Sequence, residues 1–194
     1  MDLDFLLKNF RILHMNNDIK DIGLAAKGKT RIEWAELDMP VLAITRKQFE
    51  KDQPFKDVKM SLCMHVTAET ANLARILKAG GADVLLCASN PLSTQDDVAA
   101  SLAQDYGIQV YAKRGEDRDT FFSHLRTAIA HHPQITMDDG ADLVSTIHSE
   151  FPDQLKELWG SLEETTTGVI RLRSMAKDGA LKIPVVAVND AKTK

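Results

Sequence analysis

Three polar clusters hold most of the side chains in this sequence that are equipped for chemistry. They are Cys63-Met-His-Val-Thr-Ala-Glu-Thr70, Asn90-Pro-Leu-Ser-Thr-Gln-Asp-Asp97 and Glu163-Glu-Thr-Thr-Thr-Gly-Val169, joined by Asp138-Asp139-Gly140 and by the terminal run Val188 to Lys194. Histidine and carboxylates move protons, while hydroxyls and amides hold polar ligands. Taken singly, each residue also has a plain structural reading. His65 reads as a hydrogen-bonded histidine without chemistry. Asp138 and Asp139 read as helix caps, as do Ser93, Thr94 and Asp96. Thr165, Thr166 and Thr167 are harder to dismiss. Three β-branched hydroxyls disfavour a helix start unless their hydroxyl or backbone N–H groups find partners. Lys194, alone at a terminus, reads as frayed, yet a site segment at the last residue carries the expectation that more chain follows.

The elements that must position these residues follow from the apolar pattern. Helical spacing covers residues 3–16 and 24–38, and Pro40 suits the first turn of a helix over 40–51. Strands are predicted over 58–64, 82–88, 108–112, 135–137 and 183–188. Helices are predicted over 67–79, closed by Gly80-Gly81, then from Ser93 or Thr94 to about Tyr106, and over 117–131, 142–148 and 164–177. Residues 151–161 read as a loop. Strands alternating with helices of this length predict an α/β fold, a parallel sheet of five to seven strands with right-handed crossovers and helices on both faces. In such a sheet ligands bind outside the carboxyl ends of the strands. The polar clusters fall at those ends, which predicts one shared cleft.

At 194 residues the chain suits a single domain. A net charge of −4 argues against nucleic acid or an anionic membrane as main partner. The acidic start, Met1-Asp-Leu-Asp, is no signal peptide, and no apolar run reaches the ~20 residues of a membrane span. These features predict a cytosolic protein. Cys63 and Cys87 lack any ligand spacing for zinc, so no metal is expected. They read as two buried thiols in a reducing compartment, with a disulfide between adjacent strands as the alternative. No G-x-G occurs, and neither a P-loop nor a nucleophile elbow is present.

Seven segments together resemble the S-adenosyl-L-homocysteine hydrolase family. They are Asp18-Ile-Lys-Asp-Ile-Gly-Leu-Ala25, Arg31-Ile-Glu-Trp-Ala35 with Met39-Pro40, His65-Val-Thr-Ala-Glu-Thr-Ala-Asn-Leu73, Ala88-Ser-Asn-Pro-Leu-Ser-Thr-Gln-Asp-Asp97, Met137-Asp-Asp-Gly-Ala-Asp142, Glu163-Glu-Thr-Thr-Thr-Gly-Val169 and Val188-Asn-Asp-Ala-Lys-Thr-Lys194. The resemblance runs collinearly from about residue 18 to the end. It implies that residues 1–194 are a substrate-binding domain, a Rossmann- or flavodoxin-like sheet. The family's NAD-binding domain and C-terminal tail have no counterpart here, which accounts for the missing glycine-rich fingerprint. The implied reaction is reversible hydrolysis of S-adenosylhomocysteine to adenosine and homocysteine. It passes through NAD-dependent oxidation of the ribose 3′-hydroxyl, elimination from C5′ and addition of water. The resemblance implies a homotetramer.

The same resemblance implies roles for individual residues. Lys194 lies by the 3′-hydroxyl and helps remove its proton. Glu164 binds the ribose hydroxyls. His65 and Asp139 handle protons around C4′ and C5′. Thr67 and Glu69 read the adenine edge, and Ser93, Thr94 and Gln95 line the adenosine side. Asn189 sits beside the ribose, and Thr165, Thr166 and Thr167 hold the nicotinamide end of NAD. Two readings of different class remain open on sequence: part of an enzyme, inactive in isolation, or a binding module for adenosine or S-adenosylhomocysteine without turnover. An apolar, association-prone surface is expected near 161–169 and 185–193.

Overall fold

The computed structural model describes residues 16–192. Seven strands form one sheet: β1 (Asp18–Ile19), β2 (Lys59–Met64), β3 (Asp83–Ala88), β4 (Gln109–Ala112), β5 (Ile135–Asp138), β6 (Gly160–Glu163) and β7 (Val185–Ala187). The helices are α1 (Ala25–Glu36), α2 (Pro40–Asp52), α3 (Ala68–Ala79), α4 (Asp96–Gln104), α5 (Arg118–Ala130), α6 (Asp142–Glu150) and α7 (Thr166–Lys177). All neighbouring strands are parallel, in the order β1-β4-β3-β2-β5-β6-β7. This is the expected α/β sheet. From β2 the chain walks outward through β3 to β4. It then returns to lay β5 on the other side of β2 and walks outward to β7. The order therefore reverses between β2 and β5, whose registered residues include Cys63 and Asp138.

The pleat divides the sheet into two buried faces. Met60, Leu62 and Met64 of β2, with Val84 and Leu86 of β3, pack against Ile32 of α1, Leu77 of α3 and Leu102 of α4. Cys63, Leu85 and Cys87 point the other way, into Leu125 and Ile129 of α5, Leu143 and Ile147 of α6 and Leu172 of α7. Each such side chain removed from water contributes about 1.5–3 kcal/mol. Cys63 and Cys87 are buried free thiols, opposite one another in register. The adjacent Cys87 thiol and burial both push the Cys63 thiol up, so it stays protonated. α1 crosses α4 closely because residue 28 is glycine. A Cβ there would lie 1.8 Å from the Asp97 carbonyl oxygen. Arg31 then reaches Asp97 at 3.0 Å. No helix among the described residues is long and apolar enough to cross a membrane.

Several local expectations change. The helix over residues 3–16 falls almost wholly outside the described residues. β1 and β6 were not predicted. β1 is two residues long, and β6 carries one large apolar residue, Leu162, between the stretch that reads as loop and the helix predicted from 164. β6 is nonetheless seated: Thr136 Oγ1 donates to Ser161 Oγ at 2.8 Å, a polar pair that apolar periodicity does not reveal. The predicted loop over 151–161 contains a 3-10 turn, Pro152–Lys156. β7 is shorter than the predicted 183–188, because Val188–Asp190 turn into a 3-10 helix. Neither Ser93 nor Thr94 caps α4, which starts at Asp96. Their backbone is used otherwise: Val66 N donates to Ser93 O and Gln95 N to Val66 O, both at 2.9 Å. The loops after β2 and β3 are thereby zipped together.

Candidate active site

The reversal of strand order leaves the loops after β2 and β5 side by side. His65 follows β2 and Asp139 follows β5. Asp139 N–H donates to Cys63 O at 3.0 Å, which fixes the start of its loop. His65 Nε2 lies 3.1 Å from Asp139 Oδ2. Ser89, after β3, donates to the same oxygen at 2.9 Å, and Asn90 Nδ2 is 3.3 Å from His65 Nε2. His65 is open to solvent while Asp139 is largely covered, with side-chain exposures of 55% and 15%.

Alongside runs a cleft of about 310 Å³. Its walls are mostly apolar, with Met39 and Leu42 from the α1–α2 corner, Met64 from β2 and Leu162 from β6. Its polar members are Glu69, Thr70, Asp138 and Glu164. Glu164 is placed by its own N–H, which donates to Asp138 O at 3.0 Å. Thr67 caps α3, accepting from Thr70 N–H at 3.5 Å, and so turns Glu69 and Thr70 of the first helical turn to the cleft. An apolar slot with a few polar groups is the usual shape of a small-molecule site.

Glu163, which the sequence reading left without a role, and Asp138, which it read as a helix cap, organise this end of the sheet. Glu163 is fully buried. Its carboxylate accepts from Gly140 N–H (3.0 Å), Ala141 N–H (2.9 Å) and both the N–H (2.8 Å) and hydroxyl (2.9 Å) of Thr165. It thereby holds the loop after β5, where Gly140 and Ala141 both have positive φ, of 114° and 63°. Ala141 pays steric strain of about 1–2 kcal/mol there, and the two bonds to Glu163 keep it in place. Gly168 must be glycine, since a Cβ would sit 2.1 Å from the Glu163 carboxyl carbon. Asp138 is equally buried. One oxygen accepts from Val144 N–H at 3.0 Å, and Oδ1 has no hydrogen-bond partner among the described residues. Burial above all, helped by the nearby Glu163 and Asp142 carboxylates, raises its pKa to about 7. Sequence could pair Asp138 with a helix N-terminus, but not its burial.

The other predicted site residues divide by place. Ser93 Oγ donates to Asn90 O at 2.9 Å and accepts from Asn90 N–H at 3.3 Å, so it locks the Asn90 turn. Thr94 Oγ1 and Gln95 Oε1 are buried with no hydrogen-bond partner among the described residues. Thr165 is the N-cap of α7, and Thr166 Oγ1 accepts from Asn189 Nδ2 at 3.1 Å. Thr166 and Thr167 are exposed at the start of α7, where free helix N–H groups suit a polar ligand. Lys194 lies outside the described residues.

A doubly wound parallel sheet with a histidine–carboxylate pair and a cleft at its switch point places the chain in the class of open α/β proteins, whose ligands bind at that position. Sequence comparison narrows the class. The S-adenosyl-L-homocysteine hydrolase family matches residues 16–154 and 148–194. The adenosylhomocysteinase of Aquifex aeolicus is 59% identical over 180 residues, which cover 93% of this chain and 43% of that protein. Those of Thermosynechococcus vestitus and Thermococcus kodakarensis are 53% and 52% identical, over 93% and 91% of this chain and 42% of each relative. The chain belongs to the S-adenosyl-L-homocysteine hydrolase family. It spans a little over two fifths of the length of these relatives.

Proposed function

We propose that these residues form the substrate-binding part of an adenosylhomocysteinase, whose whole protein reversibly hydrolyses S-adenosyl-L-homocysteine to adenosine and L-homocysteine in the cytoplasm as a homotetramer. The observation that carries this reading is the His65–Asp139 pair, 3.1 Å apart at the switch point, beside an apolar cleft whose polar lining includes Glu69 and Glu164. The apolar walls would take the adenine ring, with Glu69 and Thr67 on its hydrogen-bonding edge. Ser93, Thr94 and Gln95 would line the adenosine side. Glu164 would accept from ribose hydroxyls, with Asn189 close by and Lys194 assisting at the 3′-hydroxyl. His65 and Asp139 would take and return protons near C4′ and C5′.

NAD, when bound, supplies the oxidising power that makes the 4′ C–H acidic. The exposed hydroxyls and N–H groups of Thr166 and Thr167 at the start of α7 fit an amide-bearing ligand, and Thr165 orders that turn by capping it. These threonines would steady the nicotinamide end. No glycine-rich dinucleotide turn occurs within the chain, so most of the cofactor's contacts would come from a separate Rossmann domain.

The test follows homocysteine with a thiol reagent after adding NAD⁺ and S-adenosyl-L-homocysteine. The 194-residue chain alone is expected to release none, and the chain supplemented with a family NAD-binding domain is expected to turn over. In that active assembly Asp139→Asn should cut turnover about 10²–10⁴-fold with little change in stability. Turnover preserved in Asp139→Asn would remove its proton role. Adenosine binding without turnover in any combination would favour a binding module.

A further inference from the structure

Ser89 and Asn90 approach the His65–Asp139 pair from the loop after β3, and they ask opposite things of it. The Asn90 amide has a fixed orientation, because Oδ1 accepts from Leu92 N–H at 3.0 Å. Nδ2 is then the atom 3.3 Å from His65 Nε2. An amide nitrogen donates and does not accept, so it suits a bare Nε2 lone pair. Asp139 Oδ2 is 3.1 Å from the same nitrogen. An ionised carboxylate only accepts, so it suits an Nε2–H. One proton decides between them. On Nε2 it satisfies Asp139 and faces the Asn90 N–H. On Oδ2 it points to a lone pair that Asn90 also favours. Ser89 weighs on the other side. Its hydroxyl donates to Oδ2 at 2.9 Å, which favours the charged carboxylate and returns the proton to the imidazole.

We infer that Ser89 and Asn90 are positioning residues that hold a single proton poised between His65 and Asp139, with Asn90 biasing it toward Asp139 and Ser89 toward His65. In the exchange the O–H bond of Asp139 breaks as the N–H bond of His65 forms, and nothing else is consumed. This inference rests on the reading of His65 and Asp139 as the proton-handling pair. It explains why that pair serves a reaction run in both directions, in which the same groups must take a proton and give it back. Ser93 supports the arrangement by locking the Asn90 backbone.

The experiment is ¹⁵N NMR of the imidazole nitrogens in the labelled protein without substrate, across pH, with the His65 signals assigned by their loss in His65→Gln. Asn90→Asp keeps the acceptor for Leu92 N–H and removes the donor facing Nε2. There Nε2 should keep its proton to a pH higher by ~1 unit. Asn90→Ala should move it the same way with no added charge. Ser89→Ala should move it the opposite way, and Ser89→Thr should restore the parent behaviour. The pH–rate profile of the NAD-supplemented enzyme should shift in the same two directions. Unchanged signals from the other histidines and an unchanged melting temperature show that a variant is folded. Opposed shifts support the inference. Shifts in one direction for both residues, or none in either, overturn it. If Asp139→Asn abolishes turnover while these signals do not move, only this inference fails. If Asp139→Asn leaves turnover intact, the functional reading fails with it.

Discussion

At the corner made by β1, β4 and α5, His124 lies between two carboxylates. Its Nε2 is 2.9 Å from Asp18 and its Nδ1 is 2.9 Å from Glu116, while Lys113 pairs with Asp18. At the carboxyl ends of β5 and β6 the charges are grouped differently. Asp138, Asp142 and Glu163 crowd together, and Arg171, 3.1 Å from Asp142, is the nearby cation. The first region joins opposite charges across elements far apart in sequence, and its product is an edge strand fastened to the sheet. The second tolerates like charges beside a cleft, with an alanine in the left-handed region; a buried carboxylate oxygen with no hydrogen-bond partner among the described residues is common to both, on Glu116 and on Asp138. Burial outweighs the effect of Arg171 at Asp142 as well, so its carboxyl also sits above the ordinary range. Gln53, Asp57 and His132 also have positive φ, so it is the like charge gathered beside a cleft, rather than backbone strain, that sets this region apart as a candidate site.

The contrast is broken most forcefully at Glu163, the one carboxylate of the second region with a full set of donors. Glu163→Ala leaves the buried N–H of Ala141 and the part-buried N–H groups of Gly140 and Thr165 without their acceptor and frees a strained turn. A loss of roughly 3–5 kcal/mol is expected in urea unfolding. Gly168→Ala should fall in the same direction, since its methyl group would occupy the carboxylate's space. A loss under about 1 kcal/mol for Glu163→Ala would mean that the loop after β5 is held by something else.

Asp138 gives the next effect, and it has a sign. Burial, with Glu163 and Asp142, lifts its pKa from 3.8 to about 7. Between those values the folded protein keeps a proton that the unfolded chain has shed, so stability falls as the pH rises through that window. Asp138→Asn carries no such slope and keeps an acceptor for Val144 N–H. Relative to the parent it should gain roughly 2–4 kcal/mol on moving from pH 4 to pH 8. A difference that stays flat with pH would show that Asp138 is ionised in the fold.

Much of the frame was legible in the sequence because β2 and β3 are long apolar runs and their helices carry caps and glycine stops. The place of the candidate site residues followed from the same pattern, since His65 and Asp139 come directly after strands that the alternation identifies. Glu163 was not legible. It stands beside Glu164 in a polar run, and nothing local tells which of two adjacent glutamates turns inward to accept four bonds. Only the register of β6 on β5 decides that. β6 itself was hidden for a related reason, because its inward residue Ser161 is satisfied by Thr136 rather than by apolar packing. Ser89 and Asn90 stand in a polar cluster that the sequence marks, but they gain individual roles only from Asp139 and His65, in the loops after β5 and β2, at sequence distances that no local pattern spans. The apolar surface expected near 161–169 and 185–193 is found in part. Val186 and Ile170 are exposed, but Ser161, Glu163 and Val169 are buried, and a larger set of exposed residues, Trp34, Leu37, Val41 and Ile44, lies on α1, α2 and their connection.

The smallest effect belongs to the corner where charges are paired. Burial alone would lower the pKa of His124, but the hydrogen bonds and charges of Glu116 and Asp18 outweigh it and raise the value above 6.5. Imidazolium is the form with an N–H for each carboxylate, so its stabilisation is fully present below about pH 6.5 and fades as the pH rises through the folded-state value. His124→Gln should therefore cost about 1–2 kcal/mol at pH 6 and progressively less toward pH 9. Hydrogen exchange supplies the local readout. The cost should appear at residues 18–19 and 109–112, where β1 pairs with β4, and should leave the amides of residues 160–163 unchanged. Equal loosening at both places would mean that the two margins of the sheet are coupled, and the contrast between a fastening corner and a strained site would have to be given up.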